Sequence, residues 1–291
     1  MIQLENDDLE VVIHEKGAEI IHMKEKKSQS EYIWSGDEAY WGRHAPILFP
    51  IVGKVIDNTY RIKDHMYHLS QHGFARDMDF QVLEQTKTSI SLTLSWNQDT
   101  LKKYPYRFEL IVRYTLRERK LEVEYQVKNL EENMIYFSIG AHPGFRCPLN
   151  EGESFEDYSF IFENKETIDR IPISKDGLLE TKNQPYLVNE DRIPLSHELF
   201  HEDALVFADL KSDKIRLIHE KTGQGIEVYF PEFPFLGLWS KPTGAPFVCI
   251  EPWFGHADYT DFQGDFREKE GIISLKAKEM FQCSFQIRIL S

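Results

Sequence analysis

Two short stretches of the chain place an ionisable side chain at the predicted end of an apolar strand. Residues 138–145 (SIGAHPGF) carry His142 after such a strand, and the glycines and proline around it stop the strand. Residues 247–255 (FVCIEPWFG) carry Glu251, followed by proline, two aromatic residues and glycine. A histidine can give or take a proton near neutral pH, so His142 is a candidate acid or base.

A third stretch, residues 71–77 (QHGFARD), contains His72 and Arg76 beside a glycine and a phenylalanine. Carbohydrate sites need this mixture, because aromatic faces stack on the C–H face of a pyranose and polar groups bind its hydroxyls. A carboxylate can take the proton from an anomeric hydroxyl while an imidazolium protonates the ring oxygen. The two side chains at 142 and 251 are therefore the minimal pair for opening a hemiacetal ring.

Structural roles remain open for these side chains. His142 could be a turn histidine bonded to a carbonyl, and Glu251 a strand-end carboxylate paired with a lysine. Arg76 has ordinary ion-pair partners nearby in Asp77 and Asp79. A lone turn histidine is more often structural, and the second ionisable strand end at Glu251 is what shifts the balance toward a function for His142; Arg76 is balanced between the two roles.

A metal site is the alternative suggested by His65, His68 and His72, and by His256 with Asp258. Residues 65 and 68 fall within a predicted hairpin, and residues three apart on a strand point to opposite faces. Three successive ligands would then have to share one face. We therefore expect no metal site.

The composition excludes several classes of function. The 291 residues carry a formal charge of −14 and a pI of about 5.3, which disfavours binding to nucleic acid or anionic lipid. Cys147, Cys249 and Cys283 match no zinc motif, disulfide framework or Cys/His arrangement, so a nucleophilic cysteine is disfavoured. We expect no secretory signal, because residues 1–8 lack a basic region followed by an apolar core, and no apolar run approaches roughly 20 residues. We expect a cytoplasmic protein that does not bind membranes.

Period-two patterns dominate the chain and predict many strands. Residues 45–52 contain two prolines, which indicates an edge strand or connection. Short helices are expected near 99–103, 195–200 and 261–270, and polar loops at 150–156 and 181–196. The pattern predicts one all-β domain over residues 1–291, a sandwich or related architecture. The predicted strands are 9–14, 18–23, 32–34, 59–62, 66–69, 80–84, 89–96, 108–116, 120–128, 134–139, 158–163, 204–210, 215–219, 225–230, 247–250 and 281–290.

Four motifs in order make the chain resemble a known family. They are residues 49–53 (FPIVG), 71–76 (QHGFAR), 140–145 (GAHPGF) and 250–253 (IEPW). Together they resemble the aldose 1-epimerase (galactose mutarotase-like) family, and within it the LacX-like branch. The resemblance implies a β-supersandwich with the sugar lying across the concave face of a large antiparallel sheet. It implies no cofactor.

The resemblance also implies roles for individual residues. Glu251 matches the catalytic base of the family and His142 its catalytic acid. His72 matches a second histidine that binds the sugar near its ring oxygen or neighbouring hydroxyls. Arg76 follows it in a pattern shared with the hexose-6-phosphate branch.

Further substrate-binding residues are expected from the same resemblance. An acidic residue before a strand of the second half binds sugar hydroxyls, and Asp203 is favoured over Asp209 for this role. Arg43 and Lys54 flank the segment where relatives place arginine, although lysine at 54 lacks the bidentate fork. Aromatic residues that could line the pocket, or equally belong to the core, are Trp239, Trp253 and Phe145.

These inferences predict an enzyme that interconverts the α and β anomers of a hexose, as a monomer or homodimer. A hexose 6-phosphate is the alternative substrate if Arg43, Lys54, Arg76 and Lys241 converge on a phosphate. A non-catalytic carbohydrate-binding or sensing protein on the same fold is a second class. A glycoside hydrolase is weaker, because it usually needs two carboxylates and only Glu251 lies in a motif.

Overall fold

The computed structural model describes residues 1–290, and antiparallel strands dominate it. One α-helix occurs, α1 (Gln98–Lys103), together with 3₁₀ turns that include His197–Phe200 and Phe266–Glu268. The strands are β1 (Ile2–Glu5), β2 (Leu9–His14), β3 (Glu19–Glu25), β4 (Ile47–Leu48), β5 (Thr59–Ile62), β6 (His65–His68), β7 (Gln81–Gln85), β8 (Ser89–Ser95), β9 (Phe108–Arg117), β10 (Lys120–Asn129), β11 (Ile135–Phe137), β12 (Ile139–Ala141), β13 (Gly144–Arg146), β14 (Tyr158–Arg170), β15 (Gln184–Pro194), β16 (Leu205–Ala208), β17 (Lys214–His219), β18 (Gly225–Tyr229), β19 (Phe235–Trp239), β20 (Phe247–Phe254), β21 (Ile273–Leu275) and β22 (Met280–Leu290).

Two large sheets form the sandwich. The nine-stranded sheet has the order β15-β14-β17-β18-β22-β10-β9-β8-β7. The six-stranded sheet has the order β16-β19-β20-β12-β4, with β13 also paired to β20. Buried side chains of both sheets share one core cluster, as Val112 of β9 and Ile250 of β20 illustrate. This all-β sandwich confirms the fold class expected from the sequence.

Alternating sequence patterns explain the long central strands. In β9 and β10, every second side chain is buried, and the register pairs Lys120 with Arg117 across a two-residue turn. One face of this hairpin therefore packs on the core while the other meets solvent. The predicted helix at 99–103 is also confirmed, because the Asn97 side chain accepts hydrogen bonds from the N–H groups of Asp99 and Thr100.

Several predicted elements differ from the structure. The prediction of a single strand at 134–139 is wrong, because the chain leaves one sheet and enters another at Ser138, between β11 and β12. The polar loop at 181–196 is largely the edge strand β15, whose side chains are mostly exposed and therefore show little apolar alternation. In place of the strand predicted at 32–34, Ile33 forms one isolated bridge, to Phe145. Strand β19 was not predicted, because its sequence FLGLW is buried on both faces and lacks alternation.

The six-stranded sheet has two differently packed faces. Along β20, Val248 and Ile250 point into the main core. Cys249, Glu251 and Trp253 alternate with them and point to the outer face. Residues 171–179 cover one side of this face and the segment around Trp41 covers the other. The candidate site lies between these coverings, on the six-stranded sheet and not on the larger one.

Candidate active site

The strand register brings His142 and Glu251 together. Strand β12 pairs residue 140 with residue 253 of β20, and β13 pairs residue 144 with residue 249. His142 and Pro143 lie in the break between β12 and β13, so the register places residue 142 opposite residue 251. A hydrogen bond from the N–H of Ile250 to the carbonyl of Pro143 closes this break.

The two side chains meet inside the protein. Nε2 of His142 lies 3.1 Å from Oε2 of Glu251, and the side chains are 11% and 1% exposed. Oε2 has no aligned hydrogen-bond partner, and neither has Nδ1 of His142. Within residues 1–290, no lysine or arginine forms an ion pair with Glu251. The two structural alternatives, a carbonyl-bonded turn histidine and a lysine-paired carboxylate, are therefore not what the structure shows.

Burial shifts the proton affinities of both groups toward their neutral forms. Burial lowers the pKa of His142 to about 3, and the positive charges of Arg76 and Arg43 act in the same direction. Burial raises the pKa of Glu251 well above its usual value, and the negative charge of Asp203 adds to this effect. Both shifts favour the form of the empty site in which the pair shares one proton, with the carboxyl and the imidazole both uncharged.

Two tryptophans enclose the imidazole of His142. The Trp41 ring stacks on it with centroids 4.8 Å apart, and Trp239 meets its edge at 5.8 Å. Trp41 was not among the residues predicted from the sequence, since it lies in an irregular segment outside every motif. Trp239 was predicted and lines the cavity with Trp41.

Trp253 forms part of the cavity wall because two glycines leave room for it. A Cβ atom on Gly140 would lie 2.6 Å from Cδ1 of Trp253, and a Cβ on Gly237 would lie 2.5 Å from Cη2. Gly140 is paired with Trp253, and Gly237 is paired with Glu251 on the other side. The indole therefore lies across the backbones of both neighbouring strands, and it lines the cavity.

Replacing Gly237 with alanine is expected to lower the free energy of unfolding by about 1–3 kcal/mol, because the new methyl group overlaps the buried indole. Gly42→Ala is the control, since its Cβ would lie 3.3 Å from the flexible Glu38 side chain. Urea denaturation measures both variants. Equal midpoints for the two variants would contradict this packing argument.

Backbone groups of Gly53 fix the orientation of His72. The N–H of His72 donates to the carbonyl of Gly53 at 2.7 Å, and the N–H of Gly53 donates to Nδ1 of His72 at 3.1 Å. Burial lowers the pKa of His72 well below its usual value, with a further contribution from His142. A neutral ring whose Nδ1 accepts must carry its proton on Nε2. His72 is therefore a hydrogen-bond donor in the cavity.

Of the two predicted arginines, Arg76 lines the cavity and Arg43 does not. Nη2 of Arg76 donates to the carbonyl of Gln71 at 2.6 Å, while its Nε is buried without a hydrogen-bond partner and lies 3.9 Å from Oδ2 of Asp77, one of the two ion-pair partners expected from the sequence. Burial lowers the pKa of Arg76 to about 10, so it remains charged at neutral pH. Arg43 forms an ion pair with Asp77 at 2.9 Å.

Asp203 lies beside the cavity and Asp209 does not. Asp203 precedes β16 with a φ of 80°, and its Oδ1 accepts a hydrogen bond from the N–H of Ala204 at 2.7 Å. Its charge contributes to the raised pKa of Glu251, which indicates that the two carboxyl groups are near each other. Asp209 follows β16 at the opposite end of the strand.

Three further residues considered from the sequence lie away from the cavity. Nζ of Lys54 donates to the carbonyl of Asp176 at 2.8 Å, and Nζ of Lys241 donates to the carbonyl of Tyr40 at 2.7 Å. Phe145 is fully buried in the main core, which is one of the two places that the sequence left open for it.

The cavity joins these groups into one site. Its volume is about 330 Å³, within the ~300–1,000 Å³ range of small-molecule sites. Residues missed by the sequence interpretation contribute a wall from residues 173–179 and from Gln71. The predicted residues that line it are His72, Arg76, His142, Asp203, Trp239, Glu251 and Trp253.

An antiparallel sandwich with this cavity defines a galactose mutarotase-like β protein, and the comparisons confirm the expected resemblance. The chain belongs to the aldose 1-epimerase family, whose sequence profile matches residues 1–274. Protein LacX (chromosomal) of Lactococcus lactis subsp. lactis is 37% identical over 300 residues, covering 100% of this chain and 99% of that protein.

Solved structures show the same similarity. A galactose mutarotase related enzyme from Lactobacillus acidophilus is 39% identical with a TM-score of 0.94, covering 100% of this chain and 97% of that one. A galactose mutarotase-like protein from Lactobacillus casei is 33% identical with a TM-score of 0.94, covering 100% of both chains.

Within residues 1–290, no helix combines the length and the apolar character that crossing a membrane requires.

Proposed function

We propose that this protein is an aldose 1-epimerase that interconverts the α and β anomers of a hexose. The observation that carries the proposal is the buried contact between Nε2 of His142 and Oε2 of Glu251 at the cavity wall, without a compensating cation on the carboxylate. An unpaired buried carboxyl group costs stability, and active sites concentrate such groups. Family membership supports the same activity.

In the proposed mechanism, Glu251 and His142 exchange protons with the two ends of the hemiacetal. In the bound complex the shared proton first moves from Glu251 to His142. Glu251 then takes the proton from the C1 hydroxyl while the protonated His142 gives its proton to the ring oxygen, and the C1–O5 bond breaks. The open-chain aldehyde rotates about C1–C2. The ring then closes on the other face by the reverse transfers, so the proton count of the pair is restored. No cofactor is needed, because no electron or group leaves the sugar.

The direction of the pKa shifts supports ring opening. After the first step, Glu251 holds the proton and His142 is neutral, which is the protonation state that burial favours for both side chains. The surroundings therefore stabilise the uncharged Glu251 and His142 that are present with the open-chain sugar more than the carboxylate and imidazolium that are present before the ring opens. Uncatalysed mutarotation is already fairly fast, so two proton-transfer groups worth about 10²–10⁴-fold each are sufficient.

The remaining cavity residues have binding roles in this proposal. His72 donates from Nε2 to the ring oxygen or a neighbouring hydroxyl, and Arg76 donates to hydroxyls with its Nε, which has no hydrogen-bond partner within the protein. Asp203 accepts from sugar hydroxyls. The indoles of Trp41, Trp239 and Trp253 pack on the C–H groups of the ring.

The placement of basic residues favours a free sugar over a 6-phosphate. Of the four residues considered for a phosphate site, Arg76 alone lines the cavity. The other three use their charged groups in contacts elsewhere, and they are Arg43, Lys54 and Lys241. A single arginine is a weak site for a dianion, so we propose a neutral hexose as substrate.

Polarimetry or NMR of freshly dissolved α-glucose and α-galactose tests the proposal. The protein is expected to accelerate the approach to anomeric equilibrium, and to act more slowly on the corresponding 6-phosphates. Calorimetric binding of a hexose without acceleration of anomer exchange would instead establish a non-catalytic sugar-binding protein.

The pH profile of kcat/KM is expected to show no loss of activity with a midpoint near 6.5. Burial lowers the pKa of His142 to about 3 and raises the pKa of Glu251 well above its usual value, so neither group titrates in the empty site as an ordinary histidine does. An ordinary histidine would lose its proton near pH 6.5. A pH profile of kcat/KM that falls with a midpoint near 6.5 would contradict the shared-proton interpretation.

A further inference from the structure

The geometry around Glu251 brings a third potential ligand atom into the pair. Cys249 and Glu251 are two residues apart on β20, so both side chains project to the same face. Cys249 is paired with Gly144, which has no side chain, on β13 and with Trp239 on β19. A nitrogen of His142, the sulfur of Cys249 and a carboxylate oxygen of Glu251 all lie within 4.8 Å of one another.

These three atoms match the ligand preferences of zinc. Zn²⁺ binds nitrogen, sulfur and carboxylate oxygen at about 2.0–2.3 Å in tetrahedral geometry, so its nitrogen and oxygen ligands lie roughly 3.3 Å apart and a sulfur ligand lies roughly 3.6 Å from either. The distance between Nε2 of His142 and Oε2 of Glu251 is 3.1 Å. Oε2 is also buried without an aligned hydrogen-bond partner, and such an atom is available to a cation.

We propose that His142, Cys249 and Glu251 form a binding site for a zinc-like divalent cation, and that the bound ion inhibits the enzyme. This group differs from the histidine clusters considered from the sequence, since His65 and His68 are exposed on β6. Of the three ligands, His142 and Glu251 line the cavity, whose space gives the ion a fourth position for water or a sugar hydroxyl, as in zinc sites with three protein ligands.

Binding of the ion and proton transfer to sugar exclude each other. The ion displaces the thiol proton of Cys249 and the proton shared by His142 and Glu251, and both leave to solvent. No oxidation or reduction takes place. With a cation in place of the shared proton, neither group can exchange protons with O1 or O5. The inhibition rests on the proposed function, whereas the binding does not.

Titration of the full-length protein with Cd²⁺ tests binding without any assay of activity. The thiolate of Cys249 is expected to give a saturable sulfur-to-cadmium absorption band, with one ion bound per chain. Cys249→Ala should abolish the band and weaken Zn²⁺ binding by at least about tenfold in calorimetry. Cys283→Ala is the matched control, because Cys283 is a buried cysteine in the main core.

The second arm measures mutarotation with Zn²⁺ added and with EDTA added afterwards. Wild-type and Cys283→Ala activity should fall and then recover, while Cys249→Ala should need at least about tenfold more Zn²⁺. Cys249→Ser replaces Cys249→Ala if the alanine variant does not fold. Three results would each overturn the proposal. They are an absorption band that persists without Cys249, equal Zn²⁺ affinity in all variants, and the absence of saturable binding. An inactive protein that still binds Cd²⁺ through Cys249 would overturn only the proposed function.

Discussion

Glu251→Gln is expected to lower kcat/KM for mutarotation by about 10²–10⁴-fold, because glutamine cannot accept the proton of the C1 hydroxyl. The side chain keeps its size, so the cavity is expected to keep its shape. Polarimetry on freshly dissolved α-glucose or α-galactose measures the loss. Activity within threefold of the wild type would remove Glu251 from the mechanism.

The same substitution is expected to leave the protein as stable as the wild type or to stabilise it. Glu251 has a raised pKa, so its contribution to stability is present below its unfolded pKa near 4.5 and is lost as the pH rises toward the folded value. Glutamine does not ionise, so the variant does not lose stability in this way as the pH rises. The difference in Tm between the variant and the wild type should therefore increase in the variant's favour as the pH rises from about 4.5.

Glu166→Gln is the matched control, because Glu166 is equally buried but fully bonded. Its carboxylate accepts hydrogen bonds from the N–H groups of Lys211 and Ser212 and from the Ser212 hydroxyl. Its replacement is expected to cost about 1–3 kcal/mol of stability and to leave kcat/KM unchanged. The opposite responses of two buried glutamates would separate a catalytic carboxyl group from a structural one.

Local sequence patterns were sufficient for the strands that alternate and for the two ionisable ends of the site. Strands β9 and β10 have one wet face, so their periodicity is visible in the sequence. His142 and Glu251 each lie in a short motif with proline and glycine. The motif around Glu251 nevertheless misled in one respect, because Pro252 does not end the strand and β20 continues to Phe254.

Features that depend on pairing between distant residues could not be predicted from local sequence patterns. The register that places residue 142 opposite residue 251 requires both β12 and β13 to pair with the same strand. Trp41 contacts His142 from an irregular segment, and no local pattern marks such a contact. The donor role of His72 follows from the N–H of Gly53 bonding to Nδ1, which no motif encodes.

The directions of the basic side chains around the cavity could likewise not be predicted from the sequence. Arg43, Lys54 and Lys241 were plausible phosphate ligands in sequence, since side-chain direction cannot be read from spacing in loops. In the structure, each is held by a nearby acidic group or carbonyl outside the cavity. The proposed preference for a free sugar therefore depends on the directions of the four basic side chains. The number of basic residues alone does not predict the substrate.

His142→Asn is expected to reduce kcat/KM for the same sugars by about 10²–10⁴-fold, since asparagine cannot deliver a proton to the ring oxygen. Because His142 and Glu251 share one proton and act in the same step, their effects should not add. The double variant His142→Asn/Glu251→Gln should be about as slow as the slower single variant.

The double-variant comparison distinguishes a proton-sharing pair from two independent groups. If the losses of the two single variants multiply in the double variant, the groups act separately and the shared-proton mechanism fails. His219→Asn is the control, because His219 is also buried but accepts hydrogen bonds at Nδ1 from the N–H groups of Lys221 and Thr222, outside the cavity. Its rate should equal that of the wild type, so a loss confined to position 142 would be attributed to proton transfer at the sugar ring.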